Sequence, residues 1–141
     1  AEGQVTQTQY GPALVKTMPF MGHCPVLFAS AQSGYNIRRT IEAIDYVAGQ
    51  VAVELPTGIL NRTIQDAYEQ VRPPSIKGKR LKLFYATQVG TDPIRLRIFV
   101  NDPKIIRPAY RVYLIKSLRK RFGLEGAPVV LQFRARKSQY A

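Results

Sequence analysis

Residues 81–100 constrain this chain more than any other stretch, because they alternate apolar and polar side chains twice around a turn. On the outward run Leu81, Leu83, Tyr85, Thr87 and Val89 point one way, and Lys82, Phe84, Ala86 and Gln88 the other. After Gly90-Thr91-Asp92-Pro93 the period of two resumes, with Ile94, Leu96, Ile98 and Val100 opposed to Arg95, Arg97 and Phe99. Successive side chains of a strand leave on opposite faces, so the pattern predicts a β-hairpin with one apolar and one basic face. The apolar face needs cover, and the flanking sequence offers it.

Upstream, a helix is expected from a cap at Thr57, with Leu60, Ile64, Ala67, Tyr68 and Val71 on one stripe and Pro73-Pro74 as its stop. Downstream, Asn101-Asp102-Pro103 leads into helical sequence in which Tyr110, Leu114, Leu118 and Phe122 recur every four residues beside Tyr113, and Gly123 ends it. A last strand follows over 128–136, with Val129, Leu131, Phe133 and Ala135 alternating against Val130, Gln132, Arg134 and Arg136. The order from Thr57 is α-β-β-α-β. This predicts an α+β domain, a three-stranded sheet with helices on one face.

The first part of the chain reads differently. Residues 25–30 are a short apolar run, the pattern of a strand buried on both faces of a parallel sheet. Beyond Gln32-Ser33-Gly34, Asn36 can cap a helix over 36–49 whose Ile37, Ile41, Ile44 and Ala48 share a stripe. A lone strand–loop–helix unit cannot cover both faces of its strand, so these residues read as the end of an α/β domain whose body lies outside the chain. The orphan strand is expected to pair with another chain (strand-mediated self-association), to join the α+β sheet, or to sit irregularly. The polar stretch 1–11, which starts without a methionine, looks like the middle of a longer protein and is set aside from the fold.

Charge points to the partner. The chain holds 21 Lys and Arg against 9 Asp and Glu, a formal net charge of +12. Residues 95–137 supply +10 of it, with 12 cations against Asp102 and Glu125. Such a concentration attracts polyanions and favours nucleic acid over an anionic membrane or a merely solubilising surface. A hydrophobic share of 45% against 21% charged residues is that of a folded protein. The lone Cys24 can form no internal disulfide, and neither a secretory signal nor an apolar run long enough to cross a bilayer is present, which points to the cytoplasm and to no membrane partner.

The run Leu81-Lys82-Leu83-Phe84-Tyr85-Ala86-Thr87-Gln88-Val89-Gly90, then Phe99-Val100-Asn101-Asp102-Pro103, Tyr113-Leu114, Leu118-Arg119, Phe122-Gly123-Leu124-Glu125-Gly126 and Pro128, resembles the C-terminal KH-like domain of the Der/EngA family, bacterial GTPases with two tandem G domains. Upstream, residues 25–34 resemble the end of that family's second G domain, with Ser30-Ala31 matching the loop beside the guanine base, and Leu60-Asn61 match the start of the KH-like domain. The resemblance implies a division into 1–54, the C-terminal remnant of a P-loop G domain, and 55–141, the KH-like domain. It implies a sheet order 2-1-3, with the last strand beside and parallel to the first hairpin strand. It also implies a role in ribosome biogenesis, with GTP hydrolysis coupled to large-subunit assembly and the KH-like domain packed on the G domains.

Two departures limit what carries over. Neither G-x-x-x-x-G-K-[ST] nor Asn-Lys-x-Asp occurs in the chain, so GTP and magnesium belong to the full-length family, no cofactor is expected here, and Ser30 and Ala31 are expected to be relics of a nucleotide site. Ordinary KH domains clamp nucleotides with a G-x-x-G loop, whereas the corresponding junction reads Asn101-Asp102-Pro103-Lys104, where Asp102 would repel phosphate. No catalytic set stands out.

The RNA-binding candidates are therefore Lys82, Arg95, Arg97, Arg134 and Arg136 on the sheet, interleaved with Phe84 and Phe99, then Lys116, Arg119 and Lys120 on the long helix, and Lys137 in the tail. The helix cations also complement its dipole, and Arg111 and Arg121 lie near enough to the apolar stripe to snorkel along it. Tyr85, Tyr110 and Tyr113 fit core packing better than stacking on a ligand. His23-Cys24 is too small a set for a metal site. The expected function is docking on ribosomal RNA or the large subunit through phosphates, with shape supplying specificity. The alternative is an intramolecular module that packs on the G domains and transmits nucleotide state with little RNA affinity of its own.

Overall fold

The computed structural model describes residues 7–136. Residues 7–51 form a helical arm, with α1 (Gln7–Thr17), a 3₁₀ turn (Pro19–Met21) and α2 (Ile37–Val51). An α+β body follows, built from α3 (Thr57–Gln70), β1 (Leu83–Gly90), β2 (Ile94–Val100), a 3₁₀ turn (Pro103–Ile105), α4 (Pro108–Phe122) and β3 (Val129–Ala135). The expected α-β-β-α-β order and three-stranded sheet are present. No helix among the described residues is long and apolar enough to cross a membrane.

The body closes because three apolar stripes meet. Leu60, Ile64 and Ala67 of α3 and Leu114 and Leu118 of α4 are buried against Leu96, Ile98 and Val100 of β2 and Leu131 of β3. Each such Leu or Ile contributes roughly 1.5–3 kcal/mol by leaving water. Two tyrosines fasten the helices to each other: the Tyr110 hydroxyl donates to the Val71 carbonyl at 2.8 Å and the Tyr113 hydroxyl to the Ala67 carbonyl at 2.7 Å. Both are packing residues, as the stripe implied. The α3 cap is Pro56 rather than Thr57, which is already helical, and Val71 lies one residue past the helix with extended backbone.

The strand order corrects one expectation. β1 pairs antiparallel with β2, and β3 pairs parallel with β2, not with β1, so the order is β1-β2-β3. The outer edge of β1 is already occupied. Asn61 mimics a neighbouring strand there, donating from Nδ2 to the Ala86 carbonyl at 2.9 Å and accepting the Ala86 N–H at 2.7 Å. Gln65 Nε2 donates to the Leu83 carbonyl at 3.2 Å. Gln88 turns its side chain to the incoming segment, accepting the Leu55 N–H at 2.6 Å and donating to the Val53 carbonyl at 3.0 Å. With that edge satisfied by side chains, α4 carries the chain back to the free edge of β2.

In the arm, residues 25–29 form no strand, and a single bridge between Ser30 and Tyr35 is all that remains of the expected pairing. Within the chain the orphan segment does not join the α+β sheet, and its backbone is irregular. Asn36 does not cap α2 through its side chain; it sits at φ 57° and its Nδ2 donates to the Phe28 carbonyl at 3.0 Å. α1 begins inside the polar stretch that the sequence left without an element. Arm and body touch where the Gly126 N–H donates to the His23 carbonyl at 2.7 Å and the Asp92 N–H to the Val51 carbonyl at 3.3 Å.

Candidate nucleic-acid interface

With both helices on one side, the other face of the sheet lies open, and strand register decides what stands on it. Phe99 pairs with Tyr85 on one side and Arg134 on the other; Arg97 pairs with Thr87 and Gln132; Arg95 pairs with Gly90 and Val130. These three rows carry Arg95, Arg97 and Arg134 on one surface, as their alternation predicted. No acidic residue occurs in any of the three strands.

The register also contains what the sequence hid. Between Leu83 and Tyr85 the β1–β2 ladder slips by one residue, a β-bulge with Phe84 as the extra residue. The slip reverses the facing of the residues that follow it, as far as a second slip between Gln88 and Gly90. Leu83 and Ala86 are buried, while Tyr85, placed by strict alternation with the core, is 45% exposed. It stacks on Phe99 across the strand pair, ring centroids 4.4 Å apart and planes at 21°. Ala86 and Gln88, expected on the basic face, turn toward the helices instead. Phe84 lies beneath the Arg136 guanidinium, 5.0 Å from the ring centroid. The open face thus presents three aromatic rings among four arginines.

Those arginines differ in what they touch. Arg97 is half-buried, and its Nε is a buried donor without a hydrogen-bond acceptor among the described residues. Arg95, Arg134 and Arg136 are exposed, as is Lys82, which precedes β1. Lys137 lies outside the described residues.

The helix candidates stand elsewhere. Lys116 and Arg119 line a mostly apolar groove of about 580 Å³ between α4 and the arm, with Phe20, His23, Pro128 and Val129. Lys120 borders a separate groove of about 340 Å³ between α3 and α4. Neither joins the sheet face. Arg119 is engaged internally, donating from Nη1 to the Leu124 carbonyl at 2.8 Å, and burial lowers its pKa. Burial, with Arg119 nearby, also lowers the His23 pKa. Arg111 snorkels as expected, lying 5.0 Å over Phe133 and donating to the Leu131 carbonyl at 3.1 Å.

At the junction that replaces a G-x-x-G loop, Asp102 caps the 3₁₀ turn by accepting the Lys104 N–H at 3.0 Å, and its other oxygen lies 3.4 Å from Lys79 Nζ. The Lys104 N–H foremost, then Lys79, holds its carboxyl below the usual value. Ser30 and Ala31 belong to a tight turn in which Ser30 N–H donates to the Tyr35 carbonyl at 3.0 Å and Ser30 Oγ accepts the Ser33 N–H at 3.3 Å. This turn supplies a hydroxyl but no lysine or magnesium-binding carboxylate, so the residues present do not fit a nucleotide–magnesium site. Among the described residues no three His, Cys, Asp or Glu side chains are placed to hold a metal.

Comparison with known proteins agrees with the architecture. The chain is 41% identical over 140 residues to "GTPase Der" of Desulforudis audaxviator (strain MP104C), covering 99% of this chain and 32% of that protein. "GTPase Der" of Ruminiclostridium cellulolyticum is 40% identical over 134 residues, covering 95% of this chain and 30% of the relative. That of Natranaerobius thermophilus is 42% identical over 112 residues, 79% and 26% of the two chains. The chain therefore spans about a third or less of the length of these relatives. Residues 54–134, more than half of the chain and nearly all of the α+β body, match the family described as the KH-domain-like C-terminal part of EngA bacterial GTPase enzymes, and the chain belongs to that family.

Proposed function

We propose that this chain docks ribosomal RNA through its open sheet face, as the C-terminal part of a GTPase that acts in assembly of the large ribosomal subunit. The observation that carries this reading is the sheet face itself, where Arg95, Arg97 and Arg134 share one surface with no acid in the strands to offset them. The names of the relatives supply the GTPase; GTP and magnesium would be bound by G domains outside this chain. The turn of Ser30 and Ala31 would be the relic of the second one, with residues 1–54 its C-terminal end. A cytoplasmic setting follows from a ribosomal partner.

The intramolecular reading has its own support, and that support falls on the arm. Ile41 is 56% and Ile44 63% exposed on α2, beside an apolar hollow of about 450 Å³ lined by Leu27, Ile44, Val47 and Gly126. An uncovered apolar stripe of that kind suits the missing body of an α/β domain. G-domain packing there leaves the basic sheet free for RNA.

Five cations on or beside the sheet (Lys82, Arg95, Arg97, Arg134, Arg136) would release counterions on binding. The expected slope of log K against log salt is about −3.5 for single strands, from a coefficient of about 0.7 per phosphate. Fluorescence anisotropy with ribosomal RNA fragments over a salt series tests it. An affinity that barely changes between low and moderate salt contradicts phosphate docking and favours the intramolecular module.

A further inference from the structure

We propose that the ring cluster Phe84, Tyr85 and Phe99 is a seat for an unpaired nucleobase, so that the open face takes single-stranded rather than duplex RNA. The proposal rests on the RNA-docking reading above and deepens it by naming the form of RNA.

The bulge is the first observation. An unbroken period of two would send Tyr85 into the core and leave only Phe84 and Phe99 outside. The slip at Phe84 places Tyr85 on the solvent side directly across from Phe99, and bulges commonly re-aim a side chain in this way next to a binding site. A large ring held 45% exposed gains little from burial, so core packing does not account for its placement.

The geometry of the pair is the second. Tyr85 and Phe99 stand nearly parallel, 4.4 Å between centroids, so each ring already has one face covered by the other. β1 is the edge strand of the sheet, its outer backbone met by side chains of α3 from the helix side, and among the described residues no further strand lies beyond Tyr85. A base inserted there extends an existing stack, a sequence-tolerant contact because every base has a π face. Aromatic rings held in register lose little side-chain freedom on binding.

The arrangement of charge is the third. Arg134 stands in the same row as the stacked pair, Arg97 one row along the strands and Arg136 over Phe84. Cations therefore lie to several sides of the rings, where the phosphates flanking a seated base would run. A duplex could use these cations but not the rings, because its bases are already stacked and enclosed within the helix.

The test uses the full chain and a fluorescein-labelled oligouridine, alone and annealed to its complement, with anisotropy as the readout. Single-stranded affinity should exceed duplex affinity. Tyr85→Leu and Phe99→Leu should each lower single-strand affinity by roughly ten-fold while leaving the duplex and the salt slope nearly unchanged. Tyr85→Phe, which keeps the ring, should stay within about two-fold of the parent. Arg97→Gln should weaken both forms and flatten the slope. Circular dichroism of each variant confirms the fold. Salt-sensitive binding with equal affinity for the two forms and no loss in Tyr85→Leu overturns the stacking seat while leaving RNA docking in place. Absence of salt-sensitive binding to either form overturns both.

Discussion

Gly126 is where the arm meets the body most closely, and adding one methyl group there measures how firmly the two are joined. Its φ is +76°, and a Cβ would stand 2.7 and 2.8 Å from the two Cγ atoms of Val47 and 3.4 Å from Pro25 Cδ. Gly78 offers the matched control, with φ +77° and nothing within 4 Å of an added Cβ. Both alanine variants share the cost of left-handed backbone, about 1 kcal/mol. Gly126→Ala adds overpacking against Val47, roughly 1–3 kcal/mol. At about 4 °C per kcal/mol for a chain of this size, Gly78→Ala should lower Tm by about 4 °C and Gly126→Ala by about 8–16 °C. Thermal melts followed by circular dichroism give both numbers. Val47→Ala removes the clashing atoms, so it should cost about 1 kcal/mol in the parent and recover about that much in Gly126→Ala. Equal Tm losses for the two glycine variants, or a Val47→Ala penalty undiminished in the Gly126→Ala background, would refute the close approach.

Asn61→Ala strips the edge of β1 of two hydrogen bonds to Ala86, and the orphaned backbone groups should cost roughly 2–3 kcal/mol in a urea melt; a loss below about 0.5 kcal/mol would mean that water replaces the side chain freely. Burial foremost, then Tyr113 and Tyr68, raises the Tyr110 pKa above its usual 10. The unfolded chain therefore releases this proton first, so the contribution is complete below about pH 10 and is lost above it at up to about 1.4 kcal/mol per pH unit. Tyr110→Phe should be weaker than the parent by about 1 kcal/mol at neutral pH yet decline less on going to pH 11, and parallel declines would assign the alkaline loss to other groups. The double variant Arg95→Gln, Arg97→Gln should lower the magnitude of the RNA salt slope by about 1.4. Lys120→Gln, on the helix side of the body, should leave it unchanged.

Where one side chain decided an element, the sequence disclosed it. The Leu60–Ile64–Ala67 and Tyr110–Leu114–Leu118 stripes have the period of buried helix faces, and the alternation of Ile94 to Val100 gave the correct facing of Arg95, Arg97 and Phe99. Where the outcome hung on backbone register, it did not. Nothing in Leu83-Phe84-Tyr85-Ala86 distinguishes a bulged strand from a regular one, since either of two adjacent aromatic residues can take the core side. The bulge therefore concealed Tyr85, the aromatic residue that completes the open face. The sheet order implied by the family resemblance failed for a related reason: Asn61, Gln65 and Gln88 carry no strand signal in the sequence, yet they occupy the edge that β3 would otherwise have taken. Arg119 shows the limit of counting charges, because its place near a helix C-terminus is equally that of a group needed by the Leu124 carbonyl.

The central claim is that the open side of the sheet, and not the helical side, meets RNA. Backbone amide chemical-shift mapping of the labelled chain during titration with oligouridine at low salt addresses it directly. The account predicts that the shifts concentrate on Tyr85, Thr87, Arg97, Phe99, Gln132 and Arg134. Shifts concentrated on the Pro103–Ile105 turn or around Lys116 and Lys120, with the strands unaffected, would contradict it.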